Sequence, residues 1–442
     1  GSSPNSIVAT DDYVFVSNGT NDNISVISIS KDAVVNTIAL KPDSRVKQFR
    51  GVIPFGLALS PDQKRLYVAE SGINAVGVIT VADQKVLGHI PTAWFPSKIE
   101  VSKDGEKLII ANAKGFGSGP NGGAAFQLGS EGSYIGSLMK GTVQIVTIPK
   151  DEQLQEMTQQ VVANNFQFTN VTDSVFKSRV NNPIPLYPGA QESPIKHIVF
   201  ISKENRTYDE VFGQLKKGNG DSTLARYGEN ASFSNRKKTD SIANTTVMPN
   251  HLALARQFSI SDNFYVDAEV SADGHNWSTS ANATDFLEKN WVTSYGGRGG
   301  TYPGEGKRDV ANPKKGFIWD YCKRAGVSYR TYGEFADGGK ANIPALENHF
   351  CPYFTGYNLS VPDTTRFSQW KREFDSLVAV GAVPQFNTVR FGNDHTEGQR
   401  TGRPTPFAHV ADNDLAVGLF IEHLSNSPIW KDSAVLQCLS WT

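Results

Sequence analysis

A strand-turn-strand unit recurs in the first third of this 442-residue chain, and such a repeat restricts the fold more than any single motif does. Tyr13-Val14-Phe15-Val16-Ser17-Asn18 runs ahead of Ile24-Ser25-Val26-Ile27, and Leu66-Tyr67-Val68-Ala69-Glu70 runs ahead of Ala75-Val76-Gly77-Val78-Ile79. A third copy opens at Leu108-Ile109-Ile110-Ala111-Asn112. The second and third copies are each led by a polar turn, Leu59-Ser60-Pro61-Asp62 and Val101-Ser102-Lys103-Asp104-Gly105. Val68 and Ile110 lie 42 residues apart, within the roughly 40–45 of a four-stranded propeller blade. Residues 1–150 are therefore expected to form two to three blades of a partial, all-β propeller. A ring usually closes with about 4–8 blades, so this part reads as a piece of a longer chain. A lost N-terminal part would also account for the missing signal peptide.

These residues resemble the YVTN-type propeller repeat, whose strand-turn-strand core matches 66–69 and 76–79. A Gly/Ser-rich insertion at 114–140 interrupts the third copy and reads as a loop on the blade face, after which Thr142-Val143-Gln144-Ile145-Val146 resumes a strand. Residues 151–194 hold a short helical pattern near 152–162 and then Pro183, Pro185, Pro188 and Pro194, and are expected to be a linker.

From 195 to 442 the pattern becomes strands alternating with helices, which argues a mostly parallel sheet between helical layers. The strand candidates are 197–201, 327–332, 386–391 and 433–439. The helix candidates are 250–258, 316–325, 365–377 and 414–424, each with apolar residues three or four apart, as at Phe367, Trp370, Phe374 and Leu377. Lys and Arg number 43 against 44 Asp and Glu, which gives no general attraction to nucleic acid. No apolar run is long enough to span a bilayer. Cys322, Cys351 and Cys438 follow no metal spacing, and a Cys322–Cys351 bridge is one open option.

Three polar clusters stand at expected strand ends or helix starts. The first is Lys203-Glu204-Asn205-Arg206, after the apolar run 197–201; a carboxylate and an amide there suit a cation or a phosphate, while Asn205 or Thr207 equally suits a helix cap. The second is Ser271-Ala272-Asp273-Gly274-His275-Asn276, where a serine at a helix start meets backbone N–H groups that polarise it and welcome phosphate; loop capping is the alternative. The third is Asn393-Asp394-His395-Thr396, either a metal or phosphoryl contact or a capping turn beside a solvated histidine. His197 and His251 read as core histidines, and no partner is evident for His409 or His423. Gly296-Gly297-Arg298-Gly299-Gly300 follows no clear strand and reads as a flexible loop. Phosphate-loop, dinucleotide and zinc-protease motifs are lacking.

Taken in order, the motifs resemble the phosphoesterase family that contains bacterial phospholipases C and acid phosphatases, within the alkaline-phosphatase-like superfamily, and in particular its branch fused to a YVTN-type propeller. The resemblance rests on 195–213, Met248-Pro249-Asn250-His251, Asp262-Asn263-Phe264-Tyr265, 271–279, 393–396 and Pro428-Ile429-Trp430-Lys431-Asp432. It implies an α/β alkaline-phosphatase-like sandwich that hydrolyses phosphate mono- or diesters with a divalent ion (Zn, Mn, Ca or Mg). Ser271 matches the nucleophile, with His275 and His395 beside it as catalytic residues. Asn205 and Asn276 would contact phosphate, and Glu204, Asn205 and Asp394 would hold the metal; Asp273 and Asn276 are the alternatives should the alignment slip. A small phosphorylated substrate or a phospholipid, no nucleic acid, a propeller that binds another protein or a cell-surface component, and a periplasmic or secreted location accompany the resemblance.

One departure stands out. After the strand that starts at Ser433 the family has two adjacent carboxylates that complete the metal site, whereas this chain reads Val435-Leu436-Gln437-Cys438-Leu439-Ser440-Trp441-Thr442. Hard cations depend on anionic oxygens, so metal binding and turnover are expected to be weak or absent in this chain. A non-catalytic, propeller-based binding protein is the alternative from a different functional class.

Overall fold

A computed structural model describes residues 3–46, 49–117, 135–168, 183–185, 193–262, 264, 268–295 and 299–438. Most of the insertion read at 114–140, the centre of the glycine loop at 296–300, much of the linker, and 439–442 lie outside the described residues. The chain divides into two compact units, Gly1–Asn170 with Asn282–Tyr302 and Val310–Lys314, and Val171–Ala281 with Pro303–Asp309 and Lys315–Thr442.

The first unit is built on three consecutive antiparallel meanders. Pro4–Ala9, Tyr13–Asn18, Asn23–Ser28 and Ala33–Ala39 form one, and Pro54–Leu59, Arg65–Glu70, Ala75–Thr80 and Val86–Pro91 the next. Trp94–Val101, Lys107–Gly115 and Thr142–Thr147 form the third. Phe15 pairs with Val26, and its equivalent Tyr67 pairs with Val78. The turn residues repeat as faithfully as the strands. Asp62 Oδ1 accepts from Ser60 Oγ at 2.6 Å and Lys64 N at 3.1 Å, and Asp104 Oδ1 accepts from Ser102 Oγ at 2.5 Å and Glu106 N at 3.0 Å. Asp22 and Asn74, both left-handed at φ 53°, close matching 3-10 turns.

Each meander is fastened to its successor. The Asp22 carboxylate accepts from Gly51 N and Ile53 N at 2.9 and 3.0 Å, and Asn74 Oδ1 accepts from Phe95 N at 2.9 Å. Ser17 Oγ donates to Phe55 O, and Ser71 Oγ to Pro96 O, both at 2.6 Å. Phe15, Val26, Leu57, Leu66 and Val68 fill the layer between the first two sheets, and Tyr67, Val78, Ile99, Leu108 and Ile110 the layer between the second and third.

The stretch expected to be a linker opens with a helix, Asp151–Asn165, whose Leu154 and Val161 enter those two layers. Its Thr158 Oγ1 accepts from His89 N at 2.8 Å. A second addition is the helix Asp285–Ser294, which lies within the span read as α/β and groups instead with the meanders. Its buried Asp285 accepts from Ser3 Oγ at 2.6 Å and Thr20 Oγ1 at 2.7 Å, and Glu288 pairs with Lys114 at 2.9 Å.

The second unit carries a four-stranded, all-parallel sheet in the order Tyr329–Tyr332, Phe386–Arg390, His197–Ser202, Ser433–Cys438. Alternate residues feed different cores, as a sheet covered on both faces requires. Val199, Ile201 and Val389 pack with Trp370, Phe374, Val417, Phe420 and Leu424, whereas Phe200 and Phe386 join Phe317, Trp319, Phe335 and Leu346. The helices Pro249–Gln257, Ile318–Ala325 and Asp363–Ala379 sit within two residues of their expected bounds. The last helix, Pro406–Ser425, starts eight residues before the expected 414. Thr405 caps it, accepting from Ala408 N at 3.2 Å, and Pro406 occupies its first position, where proline costs no hydrogen bond. Cys322 and Cys351 are both free thiols, so the bridge left open from sequence is not formed. Among the described residues no helix is long and apolar enough to cross a membrane.

Candidate functional site

The parallel sheet ends, at its carboxyl edge, in charged residues. Glu204 follows His197–Ser202, Arg390 is the last residue of Phe386–Arg390, and Glu334 lies two residues past Tyr329–Tyr332. His275 reaches them from the helix Ser271–Ser280, and Glu305 from a loop. Glu204 Oε1 accepts from Arg390 Nε at 3.1 Å, from Arg390 Nη2, and from His275 Nε2 at 3.1 Å. His275 Nδ1 donates to Glu334 Oε1 at 2.5 Å, and Arg390 Nη1 donates to Glu305 Oε2 at 3.0 Å. Glu334 Oε2 completes the group, 3.9 Å from Arg390 Nε.

Glu204, His275, Glu334 and Arg390 are buried, so their charges act in a low dielectric. Burial works against the imidazolium, yet Glu334 and Glu204 push His275 up to about 10, and both ring nitrogens are donors. Burial works against the Glu204 carboxylate too, and Arg390 with His275 holds its pKa far below the ordinary carboxylate range.

A second buried network adjoins the first. Lys203 Nζ donates to His251 Nε2 at 2.6 Å and to Asn413 Oδ1, and lies 3.4 Å from Asp394 Oδ2. His251 Nδ1 donates to Asp414 Oδ1 at 2.6 Å. Burial and the Lys203 ammonium lower His251 to about 4, so its ring is neutral and accepts from Lys203. Burial lifts Asp394 to about 6, with Lys203 opposing. The two networks meet at Glu204, whose backbone N–H donates to Asp394 Oδ1 at 3.3 Å.

Four backbone outliers mark the same edge. Asn205, Glu305, Phe335 and Thr396 have φ of 43°, 55°, 52° and 64°, a region that costs a non-glycine residue energy. Each is, or directly follows, one of Glu204, Glu305, Glu334 and His395.

Ser271 is the buried first residue of its helix and lies one turn before His275, on the same side. The alternative of a helix cap at 205–207 resolves onto Thr207, which accepts from Glu210 N at 3.3 Å. Asn205 is left outside that cap, with its Oδ1 buried and unbonded, a state that buried polar atoms rarely keep without a ligand or water. Asn276 Nδ2 donates within its own helix, to Ala272 O at 3.3 Å. His395 hydrogen-bonds Thr396 O through Nδ1 at 2.9 Å and meets Tyr357 edge-on at 5.7 Å. Tyr357 also meets Arg390, whose guanidinium carbon lies 4.9 Å from the ring centroid. Beside Tyr357 opens a cleft of about 650 Å³ lined also by Asp337, Tyr353, Asn358, Glu397 and Arg403. The structure thus joins Glu204, His275 and Asp394 directly, brings Ser271 with His275, and sets His395 against Tyr357. Sequence reasoning passed over Arg390, Glu305 and Glu334 and gave Lys203, within the first cluster, no role; a cation closing an otherwise buried strand, at Arg390, was the legible signal.

A divalent ion on Glu204, Asn205 and Asp394 does not fit this arrangement. The Glu204 oxygen is taken by Arg390 and His275, and Asp394 by Lys203 and the Glu204 N–H. Among the described residues no three His, Cys, Asp or Glu side chains are gathered to hold one ion. Carboxylates spread around a guanidinium at about 3 Å are further apart than those around a cation at about 2.0–2.6 Å.

No family model matches the sequence, and no curated protein does. Among solved structures, the chain is similar in part to hydrazine synthase of Kuenenia stuttgartiensis, at 23% identity over 25% of this chain and 29% of that one, with a TM-score of 0.22. It is also similar in part to putative 6-phosphogluconolactonases of Bacteroides uniformis (19% identity, 25% and 33% of the two chains, TM-score 0.21) and Bacteroides fragilis (17%, 26% and 33%, 0.23). The chain spans about a third or less of the length of each. Similarity of this extent does not reach the chemistry of any of them.

Proposed function

We propose that the second unit is a phosphoesterase that cleaves phosphate mono- or diesters, and that the meanders, read as blades of a β-propeller, form a binding surface for another protein or a cell-surface component. The observation that carries the first part is the 3.1 Å bond between His275 and Glu204, which draws the helix headed by Ser271 to the carboxyl end of His197–Ser202. Ser271 Oγ attacks phosphorus in line as the bond from phosphorus to the ester oxygen breaks, the serine proton passing to the departing oxygen, and water then cleaves the phosphoserine to free the phosphate and restore Ser271. His275 already carries its proton and so acts as fixed positive charge rather than as the base. The unbonded Asn205 amide oxygen takes a hydrogen bond from a substrate hydroxyl or a protonated phosphate oxygen. The cleft beside Tyr357 takes the leaving group, from a small phosphorylated compound or a phospholipid head. An exported location, periplasmic or secreted, belongs to the same reading.

The test is turnover of p-nitrophenyl phosphate and a diester analogue, with and without added Mg, Mn, Ca and Zn. Activity that disappears in Ser271→Ala supports the nucleophile; undiminished activity removes it. The second reading, a non-catalytic domain beside a binding surface, draws on the pairing of Glu204 with Arg390 instead of with a metal. Inertness toward every ester and ion combination would favour it.

A further inference from the structure

We infer that Arg390 is the built-in cation of this site: its guanidinium closes the carboxylate group Glu204, Glu305 and Glu334 and leaves it no need of a divalent ion. The three carboxylates come from a strand end, a loop and a turn, and all three face one side chain, at 3.1 Å, 3.0 Å and 3.9 Å. Packing alone does not ask for this. Burying carboxylates together is costly unless a cation sits among them, and all three segments adopt left-handed backbone beside it, at Asn205 after Glu204, at Glu305, and at Phe335 after Glu334. Against three carboxylates stand Arg390 and the His275 imidazolium. Removing Arg390 would leave His275 as the one cation bonded to the group among the described residues.

A guanidinium also differs from a metal in kind. It cannot lose its charge at any ordinary pH, it cannot be chelated, and its planar fork fixes the carboxylates in direction as well as in number. The guanidinium lies over the Tyr357 ring, which adds a cation–π contact. Arg390 is thus a positioning residue: through Glu204 it holds His275, and through His275 the helix of Ser271. The inference does not depend on ester hydrolysis, and its test reads no turnover.

Two measurements decide it. In the first, Mn²⁺ is titrated into the unaltered protein and followed by electron paramagnetic resonance, and melting is compared in chelator and in millimolar Mn²⁺. The expected result is the same melting temperature in both and no Mn²⁺ uptake that Glu204→Gln removes. One Mn²⁺ per chain, lost in Glu204→Gln, would overturn the inference. In the second, Arg390→Gln, which keeps hydrogen-bonding capacity without charge, is melted across a Mn²⁺ and Ca²⁺ series. Its melting temperature is expected to start lower and to rise by about 5 °C or more at saturating ion, a rise absent from the unaltered protein and from Arg390→Gln with Glu204→Gln. A folded Arg390→Gln no more responsive to metal than the unaltered protein would also overturn it. Should Arg390→Gln not fold, the Mn²⁺ titration of the unaltered protein decides alone.

Discussion

Glu204 donates its backbone N–H to Asp394 at 3.3 Å, and through this bond two buried charge networks share one residue. On one side stand Arg390 and His275, on the other Lys203 and Asp394. Glu204→Gln removes the carboxylate from between two buried cations and is expected to destabilise the second unit by about 3–5 kcal/mol. Asp394→Asn weakens the counter-charge of Lys203. Because the networks touch, the two losses should not add, with an interaction of about 0.5–3 kcal/mol in a double-mutant cycle of urea unfolding. Simple additivity would mean that the networks are energetically separate.

Stability at alkaline pH should report on His275. Its proton is held more tightly in the fold, to about 10, than at the ordinary value of 6.5. Its share of stability is therefore complete below the unfolded value and is lost as the pH rises toward the folded one. Urea midpoints of the unaltered protein should fall across this window more steeply than those of His275→Gln. Parallel curves would count against an imidazolium between Glu204 and Glu334.

The fastenings between meanders should differ in strength according to what they leave behind. Asp22→Ala abandons two backbone N–H groups, of Gly51 and the buried Ile53, and should cost about 1–3 kcal/mol. Asn74→Ala abandons one, of Phe95, and should cost less. Ser102→Ala, in an exposed turn, should stay within about 0.5 kcal/mol of the unaltered protein. Chemical denaturation of the three variants ranks them.

Gly19 is packed against Asp285 so closely that an added Cβ would lie 2.4 Å from its Oδ2. Gly19→Ala is expected to dislodge the helix Asp285–Ser294 from the first meander, at about 1–3 kcal/mol. Faster proteolysis within 285–294 would show this directly, and unchanged protection would argue that the helix is held elsewhere.

The periodic elements were legible because their signal is local. Val199 and Ile201 alternate with Phe200, and Trp370 and Phe374 lie one turn apart, so strand and helix follow from neighbours in sequence. The start of Pro406–Ser425 was carried by Thr405-Pro406, a capping signal that the apolar pattern from 414 onward hides. The helix Asp285–Ser294 could not be assigned to the meanders from sequence, since its ties run to Ser3, Thr20 and Lys114. The same distance hid half of the candidate site. Glu204, His275 and Asp394 sit in recognisable motifs, but nothing near Glu305 or Glu334 announces that both face Arg390. Their convergence is a property of the folded sheet edge.

Asp22 and Asn74 occupy matching positions and differ in charge, yet each hooks the backbone at the start of the meander that follows, Asp22 just ahead of its first strand and Asn74 within it. The hook lies in one repeat and the eye in the next, so the natural unit of insertion or deletion in this part of the chain is a whole repeat. Splicing one in or out at matching registers leaves every hook facing an eye. A cut at half a repeat strands one of each, and lineages or designs that alter the length of this region should do so in steps of one meander.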